Sequence, residues 1–242
     1  MSAAGDGATA PARAAALVVA AGRGERLGPG DPKAFRSVGG VPMLVHAVRA
    51  LAAAGCVAHV VVAAPVDAVE RTRDLLADEH EGAGLDVVAG GEDRPASVRA
   101  ALGAGPPGLD VVLGPDAARP LAPSGLADAV AAAVAAGAPA VVPALAVVDT
   151  LKEVDGDRVV ATLDRRALRA VQTPQGFRRE VLERAHREHR SGGAVEVTDD
   201  AGMVERLGIA VHVVPGHEEA FKVTRPVDLL LAEVVLSSRG GA

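Results

Sequence analysis

The chain has 242 residues, which suits one large domain or one domain with a small extension, and a hydrophobic share of 49% can fill a substantial core. Aromatic residues are 1%, with no Trp or Tyr, so that core must be Ala, Val and Leu, and binding single-stranded nucleic acid by stacking bases on aromatic rings is disfavoured. The formal net charge of −6 likewise argues against non-specific attraction to nucleic acid or to an anionic membrane.

Residues 1–13 are rich in Ala, Gly and Pro and read as a loose tail, without the basic start and apolar centre of a signal peptide. A buried strand is expected at 15–21, then a glycine-rich stretch. Helix-like and strand-like segments alternate after it: a helix at 41–54, a strand at 58–64, a helix at 67–76, a strand at 85–89, a helix at 97–104, a strand at 109–113, an Ala-rich helix at 124–136 and a strand at 138–142. This alternation predicts an α/β fold, a mostly parallel sheet with right-handed crossovers and ligands at the carboxyl ends of its strands. The pattern changes after residue 142. Strands at 147–154 and 158–163 flank Asp155-Gly156-Asp157 as a hairpin. Its Val residues alternate with polar ones, as in an exposed ribbon that needs a partner, because an isolated hairpin is marginal in water. Helices at 178–188 and 199–207, a strand at 209–214 and a helix at 226–237 complete the series. The expectation is one domain over 14–238, with a β-arm spanning 147–170.

Cys56 is the only cysteine, so neither an intrachain disulfide nor a Cys-rich metal site can form. No apolar run approaches the roughly 18 residues that span a bilayer. A cytoplasmic setting, with no membrane and no nucleic-acid partner, is expected.

The glycine-rich stretch carries the main functional signal. It runs Ala20-Ala21-Gly22-Arg23-Gly24-Glu25-Arg26-Leu27-Gly28 and reaches Pro32-Lys33. Gly22, Gly24 and Gly28 let the backbone approach a ligand closely. Successive N–H groups of such a loop form an anion cradle, and Arg26 and Lys33 add fixed positive charge. The stretch predicts a grip on a nucleotide triphosphate. It lacks the Gly-Lys-Ser/Thr ending of a Walker A loop, and its glycine spacing is a poor dinucleotide fingerprint. A surface loop with incidental charges is the plainer alternative.

Three further constellations follow. Gly90-Gly91-Glu92-Asp93-Arg94-Pro95-Ala96-Ser97 opens a helix: its amides and Ser97 could read a base edge and Arg94 could pair with phosphate, or it is simply a capped start, with Asp93 or Ser97 near the cap and Pro95 in the first turn. Asp116, in Gly114-Pro115-Asp116-Ala117-Ala118-Arg119-Pro120, stands at a strand's carboxyl end and suits Mg²⁺, unless it is a turn-forming aspartate. Lys222 lies between Phe221 and Val223 on a strand-like segment that would aim it at one face. Thr224 and Pro226 fit the cap and first turn of the last helix, and Thr198 fits the cap of the helix at 199–207. The seven histidines show no zinc spacing, and His186 and His189 read as solvated on a charged helix.

Together these motifs resemble the 2-C-methyl-D-erythritol 4-phosphate cytidylyltransferase family of the non-mevalonate isoprenoid pathway. The matching elements are Ala20-Ala21-Gly22-x-Gly24-x-Arg26 with Pro32-Lys33, Gly90-Gly91-x-x-Arg94-x-x-Ser97-Val98, Asp116-Ala117-Ala118-Arg119-Pro120, Asp149-Thr150-x-Lys152, Thr173-Pro174-Gln175, Thr198-Asp199 and Lys222-Val223-Thr224-x-Pro226. The resemblance implies a Rossmann-like nucleotidyltransferase fold, a mostly parallel mixed sheet flanked by helices, with a β-arm that dimerises. It implies CTP and methylerythritol phosphate as substrates, pyrophosphate as product, and Mg²⁺ or another divalent cation. By resemblance Arg26, Lys33 and Lys222 are the phosphate and transition-state cations, and Asp116 is the metal-proximal carboxylate. Ala20, Ala21, Gly22, Gly24, Gly90, Gly91, Glu92, Arg94 and Ser97 hold the nucleotide. Arg119, Thr150, Arg165, Thr173 and Thr198 hold the acceptor, with Thr150 and Arg165 supplied by a partner subunit's arm. The chain departs from the family's usual pattern at Pro115 (commonly His), Asp200 (commonly Glu) and Ala220-Phe221 (commonly Asn-Ile). A cytidylyltransferase for another polyol phosphate such as ribitol phosphate, a catalytically silent nucleotide-binding module and a dinucleotide-dependent oxidoreductase are the competing readings. The missing third glycine spacing weighs against the last of these.

Overall fold

The computed structural model describes residues 12–22, 27, 31–191 and 197–239. The expected tail lies outside these, apart from residues 12 and 13. In chain order the elements are β1 (Ala14–Val19), a 3-10 turn (Lys33–Phe35), the short ribbon β2 (Ser37–Val38) and β3 (Val41–Pro42), α1 (Met43–Ala52), β4 (Val57–Ala64), α2 (Val69–Leu76), β5 (Gly84–Ala89), α3 (Arg94–Ala104), β6 (Val111–Gly114), α4 (Ser124–Ala135) and β7 (Ala140–Ala146). There follow the hairpin β8 (Lys152–Asp155) and β9 (Arg158–Thr162), then β10 (Arg169–Val171), β11 (Gln175–Arg178), α5 (Arg179–Ser191), α6 (Asp200–Arg206), β12 (Val211–Pro215) and α7 (Pro226–Arg239).

Among the described residues, eight strands form one sheet in the order β10-β7-β11-β6-β1-β4-β5, with β12 also paired to β7. Strands β6, β1, β4 and β5 run parallel, as β12 does to β7, whereas β11 is antiparallel to both β6 and β7. The fold is therefore a mixed, mostly parallel sheet of Rossmann-like type.

The alternation of side chains along the central strands divides the core between two faces. In β1, Ala14, Ala16 and Val18 face α1 and α4 with Val60 and Val62 of β4, against Leu44, Val48, Val130 and Val134. Leu17, with Val61 and Ala63, faces α3, α5 and α6 on the opposite side, against Val98, Leu182 and Val204. Both faces are covered, so these strands read as continuous apolar runs. A third cluster, Leu27, Val38, Met43, Leu121, Val223 and Ala232, seats α7 beside the ribbon. Small residues set the layer spacing: a Cβ on Gly176 would lie 2.4 Å from Val130 Cγ1, so β11 admits α4 only as glycine. Cys56 is buried, and burial together with Asp128 pushes its thiol up to about 12, leaving it an inert packing group.

Most expected elements appear close to their predicted positions, with several differences: the ribbon β2–β3 was not anticipated, and β8 begins at Lys152 where a strand was expected from residue 147. Strand β7 extends to Ala146, and α3 begins at Arg94, three residues early, because the Asp93 side chain accepts from Ala96 N and caps it. Strands β10 and β11 were not anticipated. Gln175-Gly176-Phe177-Arg178 has no strand periodicity of its own, and its pairing comes from the slot between β6 and β7. The hairpin forms around Gly156, whose φ of 60° suits glycine, but the excursion closes at Arg169, where β10 rejoins the main sheet beside Ala146. Two cap assignments also change. Asp199, not Thr198, caps α6 by accepting from Gly202 N. At α7 the direction is reversed: Asp228 accepts from Thr224 N, Thr224 Oγ1 and Arg225 N, so a carboxylate inside the first turn satisfies the donors ahead of it.

Candidate active site

The site is built where strand ladders run on into loops at the carboxyl edge of the sheet. Ala20 N donates to Ala63 O at 2.9 Å and Gly90 N to Ala64 O at 2.7 Å, while Val19 bridges to Asp116. The loops after β1, β5 and β6 therefore lie side by side. Together with the 3-10 turn and the segment before α7 they enclose a cleft of about 330 Å³. Ala20, Ala21, Gly22, Lys33, Gly91, Glu92, Arg94, Ser97, Asp116 and Lys222 all line it. Residues more than 200 positions apart in sequence thus share one cavity. Gly24, Gly28 and Arg26 lie outside the described residues.

The glycines at the β5–α3 turn are required by space. A Cβ on Gly90 would come 2.8 Å from the Cβ of Ala21, and one on Gly91 would come 2.3 Å from the Cβ of Ala96. Ser97 is buried and its hydroxyl is engaged within the turn: Oγ donates to Asp93 O at 2.9 Å and accepts from Gly91 N at 3.1 Å. Its role here is to shape the loop that faces the cavity.

Asp116 is the electrostatic centre. Lys222 Nζ stands 2.9 Å from its Oδ2, and Arg119 Nε stands 3.8 Å away. Its backbone N–H donates to Thr173 Oγ1 at 2.9 Å, so the backbone after Pro115 is fixed from the segment that joins β10 to β11. Lys222 comes from irregular chain, not a strand. Its aim is set by Val223, which is fully buried and donates its N–H to Ala118 O at 2.8 Å. Arg119 donates to the carbonyls of Ala220 and Val171, tying the Asp116 loop to the segment ahead of Lys222. Burial lowers the Arg119 pKa from its usual value, and Asp116 offsets part of that.

Arg94 reaches the cleft from the first turn of α3 and donates to Asp200 Oδ2 at 2.7 Å. Burial opposes its charge, but Asp200, Asp116 and Asp199 outweigh it, and its pKa is raised. Asp200 is held below the ordinary carboxylate range: burial works against its charge, and His186 and Arg94 more than compensate. The reading of His186 as solvated is therefore wrong. It is 2% exposed, because it continues the buried stripe Leu182–Ala185 of α5, and its Nε2 lies 2.9 Å from Asp200 Oδ1.

The predicted acceptor residues divide. Arg119 and Thr173 line a small cavity of about 20 Å³ with Pro115 and Asp116, adjoining the main cleft through Asp116. Thr198 is exposed at the start of α6. Thr150 and Arg165 are exposed on the excursion between β7 and β10, where Arg165 donates to Val148 O, and they are not among the described residues lining these two cavities. The motif reading missed Asp93 and Thr224, which line the main cleft, and Gln175, whose side chain donates to Asp199 Oδ2 and accepts from Ala201 N. Asp93 was legible as a cap; the burial of Gln175 had no sequence signal beyond its place in Thr173-Pro174-Gln175.

Lys33, Arg94 and Lys222 gathered with Asp116 in one cleft, at the carboxyl edge of a Rossmann-like sheet, are the arrangement of a nucleotidyltransferase. Within that class the chain belongs to the 2-C-methyl-D-erythritol 4-phosphate cytidylyltransferase family, whose model matches residues 14–238. The enzyme of that name from Streptomyces coelicolor is 57% identical over 95% of this chain and 87% of its own. That from Streptomyces avermitilis is 57% identical over 94% and 93%. Among solved structures, the 2-C-methyl-D-erythritol 4-phosphate cytidylyltransferase of Thermus thermophilus is 37% identical with a TM-score of 0.74, covering 92% of this chain and 98% of that one. The 4-diphosphocytidyl-2C-methyl-D-erythritol synthase of Anaerococcus prevotii aligns with a TM-score of 0.81 at 25% identity, over 93% and 98%.

Proposed function

We propose that this enzyme transfers the cytidylyl group of CTP to 2-C-methyl-D-erythritol 4-phosphate, releasing pyrophosphate and 4-diphosphocytidyl-2-C-methyl-D-erythritol, with residues 14–238 acting as one domain. The observation that carries the reading is the convergence of Lys33, Arg94, Asp116 and Lys222 on one cleft in a chain of this family.

The chemistry needs no general base. A phosphate monoester has a second pKa of about 6 and is already mostly dianionic at neutral pH, so its oxygen can attack the α-phosphorus directly. The protein's task is alignment and charge neutralisation. Lys33 and Lys222, with Arg26 by resemblance, would neutralise the five-coordinate centre and the departing pyrophosphate. Ala20, Ala21, Gly22, Gly24, Gly90, Gly91, Glu92, Arg94 and Ser97 would hold the nucleotide.

Asp116 fits a magnesium ion. It is a single carboxylate at a strand end, and Mg²⁺ takes one or two carboxylates while keeping its other positions for water and phosphate. Among the described residues no group of three His, Cys, Asp or Glu offers a separate cage, which suits an ion that arrives with the triphosphate. Bound there, it would supply further neutralisation of phosphate charge.

On this reading the acceptor lies against Arg119, Thr173 and Thr198, completed by Thr150 and Arg165 of a second copy. The hairpin region supports such a dimer: Val148, Val154 and Val159 are 78%, 57% and 53% exposed, an apolar surface that a partner would cover. A strictly monomeric species at micromolar concentration in light scattering would remove the dimer. A cytoplasmic setting accords with the inert Cys56; among the described residues no helix is long and apolar enough to cross a membrane. The activity itself is tested by pyrophosphate release with CTP, ATP, GTP and UTP, each with and without methylerythritol phosphate. Release only with CTP and the acceptor together is the expected result; release unchanged by the acceptor would overturn the reading.

A further inference from the structure

Behind the nucleotide cleft, three helices meet at one buried carboxylate. Asp200, at the start of α6, has a side chain 2% exposed, and each of its oxygens has one charged or polar partner from another helix. Oδ2 accepts from Arg94 of α3 at 2.7 Å, and Oδ1 accepts from His186 Nε2 of α5 at 2.9 Å. An ionised carboxylate only accepts, so the geometry requires the proton on Nε2. The other ring nitrogen, Nδ1, is buried without a hydrogen-bond partner. Packing alone would be better served by an apolar residue at 186, since a buried ring nitrogen left unpaired carries a desolvation cost.

We propose that His186 is a positioning residue for the nucleotide: it holds the rear oxygen of Asp200, so that the front oxygen keeps the Arg94 guanidinium aimed into the cleft. The proposal rests on the reading of that cleft as the CTP site. Arg94 is 30% exposed at its side chain and lines the cleft, whereas His186 does not line it and acts only through Asp200. A carboxylate held at one oxygen rotates about its Cβ–Cγ bond. Held at both, it presents a fixed acceptor, and a guanidinium fork is useful to a phosphate or base only in a fixed plane. Arg99 of α3 and Glu183, Arg187 and Arg190 of α5 share with His186 an outer cleft of about 210 Å³.

The test is a thermodynamic cycle on the full-length enzyme, measuring CTP binding by calorimetry and KM and kcat by pyrophosphate release. His186→Leu removes the donor and should weaken CTP binding about five- to tenfold, a coupling typical of residues in one network. The acceptor KM and kcat should change less than about twofold, and His186→Gln, whose amide can donate to Asp200, should recover most of the loss. In an Arg94→Ala background the same His186→Leu change should have little further effect on CTP affinity. Unchanged CTP affinity in folded His186→Leu, or a loss of equal size with and without Arg94, would overturn the proposal. Should His186→Leu fail to fold, His186→Asn, polar but too short to reach, takes its place in the cycle with the same two deciding outcomes. A wild-type enzyme that does not bind CTP would instead sink the function proposed above, which separates the two failures.

Discussion

Replacing Lys222 by Ala tests the electrostatic argument most directly, because the structure lets activity and stability be separated. The ammonium lies 2.9 Å from Asp116 Oδ2, with the lysine side chain 42% and the aspartate 17% exposed. At that separation two unit charges attract by about 1.4 kcal/mol in bulk water and by about 6 kcal/mol at an effective dielectric near 20. With the lysine open to solvent the pair lies towards the watery end, so its own net worth to folding is only about 0–1 kcal/mol. Asp116 keeps Arg119 at 3.8 Å and its backbone bond to Thr173, so the loop should hold its shape. A transition state that excludes water and gathers phosphate charge is different: loss of one fixed donor there costs about 3 kcal/mol. The expected result for Lys222→Ala is therefore a kcat reduced about a hundredfold, with a melting temperature within a few degrees of wild type. The assay is steady-state pyrophosphate release beside a thermal melt. A folded variant with kcat within about threefold of wild type would refute the assignment of Lys222 to the reacting phosphates. A large loss of stability would instead show that the pair is structural.

Lys33→Ala should lower kcat by two or more orders of magnitude, about 3 kcal/mol, and near-normal turnover would remove Lys33 from the phosphate site. Gly176→Ala puts a Cβ 2.4 Å from Val130 Cγ1 and should destabilise the protein by about 1–3 kcal/mol, read as an equilibrium denaturation midpoint; wild-type stability would mean that α4 shifts freely. Asp200 has a folded-state pKa below its unfolded value, so its contribution is present above the unfolded value and is lost as pH falls through the folded one. Wild type should therefore exceed Asp200→Asn in stability by about 3 kcal/mol or more at neutral pH, and the gap should narrow below about pH 4. A gap that stays constant from pH 7 to pH 3 in paired denaturant titrations would contradict the depressed pKa.

The parts of the fold written in local pattern were legible. Runs such as Val57–Ala64 are apolar because both faces of a parallel strand are covered, and amphipathic or Ala-rich stretches between them are long enough to be crossover helices. The hairpin was legible from Gly156 between Val-bearing strands. Strand β11 was not, since Gln175 and Gly176 are poor strand formers that are strand only because β6 and β7 leave a slot. His186 was misread because the charges around it on α5 masked its phase, one turn beyond Leu182 on the buried stripe.

The amino-acid sequence by itself determined the α/β alternation, the glycine-rich loop after the first strand and the residue types of a charge-stabilised phosphoryl transfer. Those features depend on neighbours within a few positions, where periodicity and turn chemistry act. Only the tertiary structure decided that Lys222, more than 200 residues from Ala20, meets Asp116 in the same cleft, and that Thr173 anchors the Asp116 backbone from β11's approach. It also decided that His186, Asp200 and Arg94 form one hydrogen-bonded chain that runs from a buried ring to the wall of that cleft. Each of these pairings joins distant segments through the closing of the sheet, and no local propensity encodes the distance between two side chains that only packing brings together.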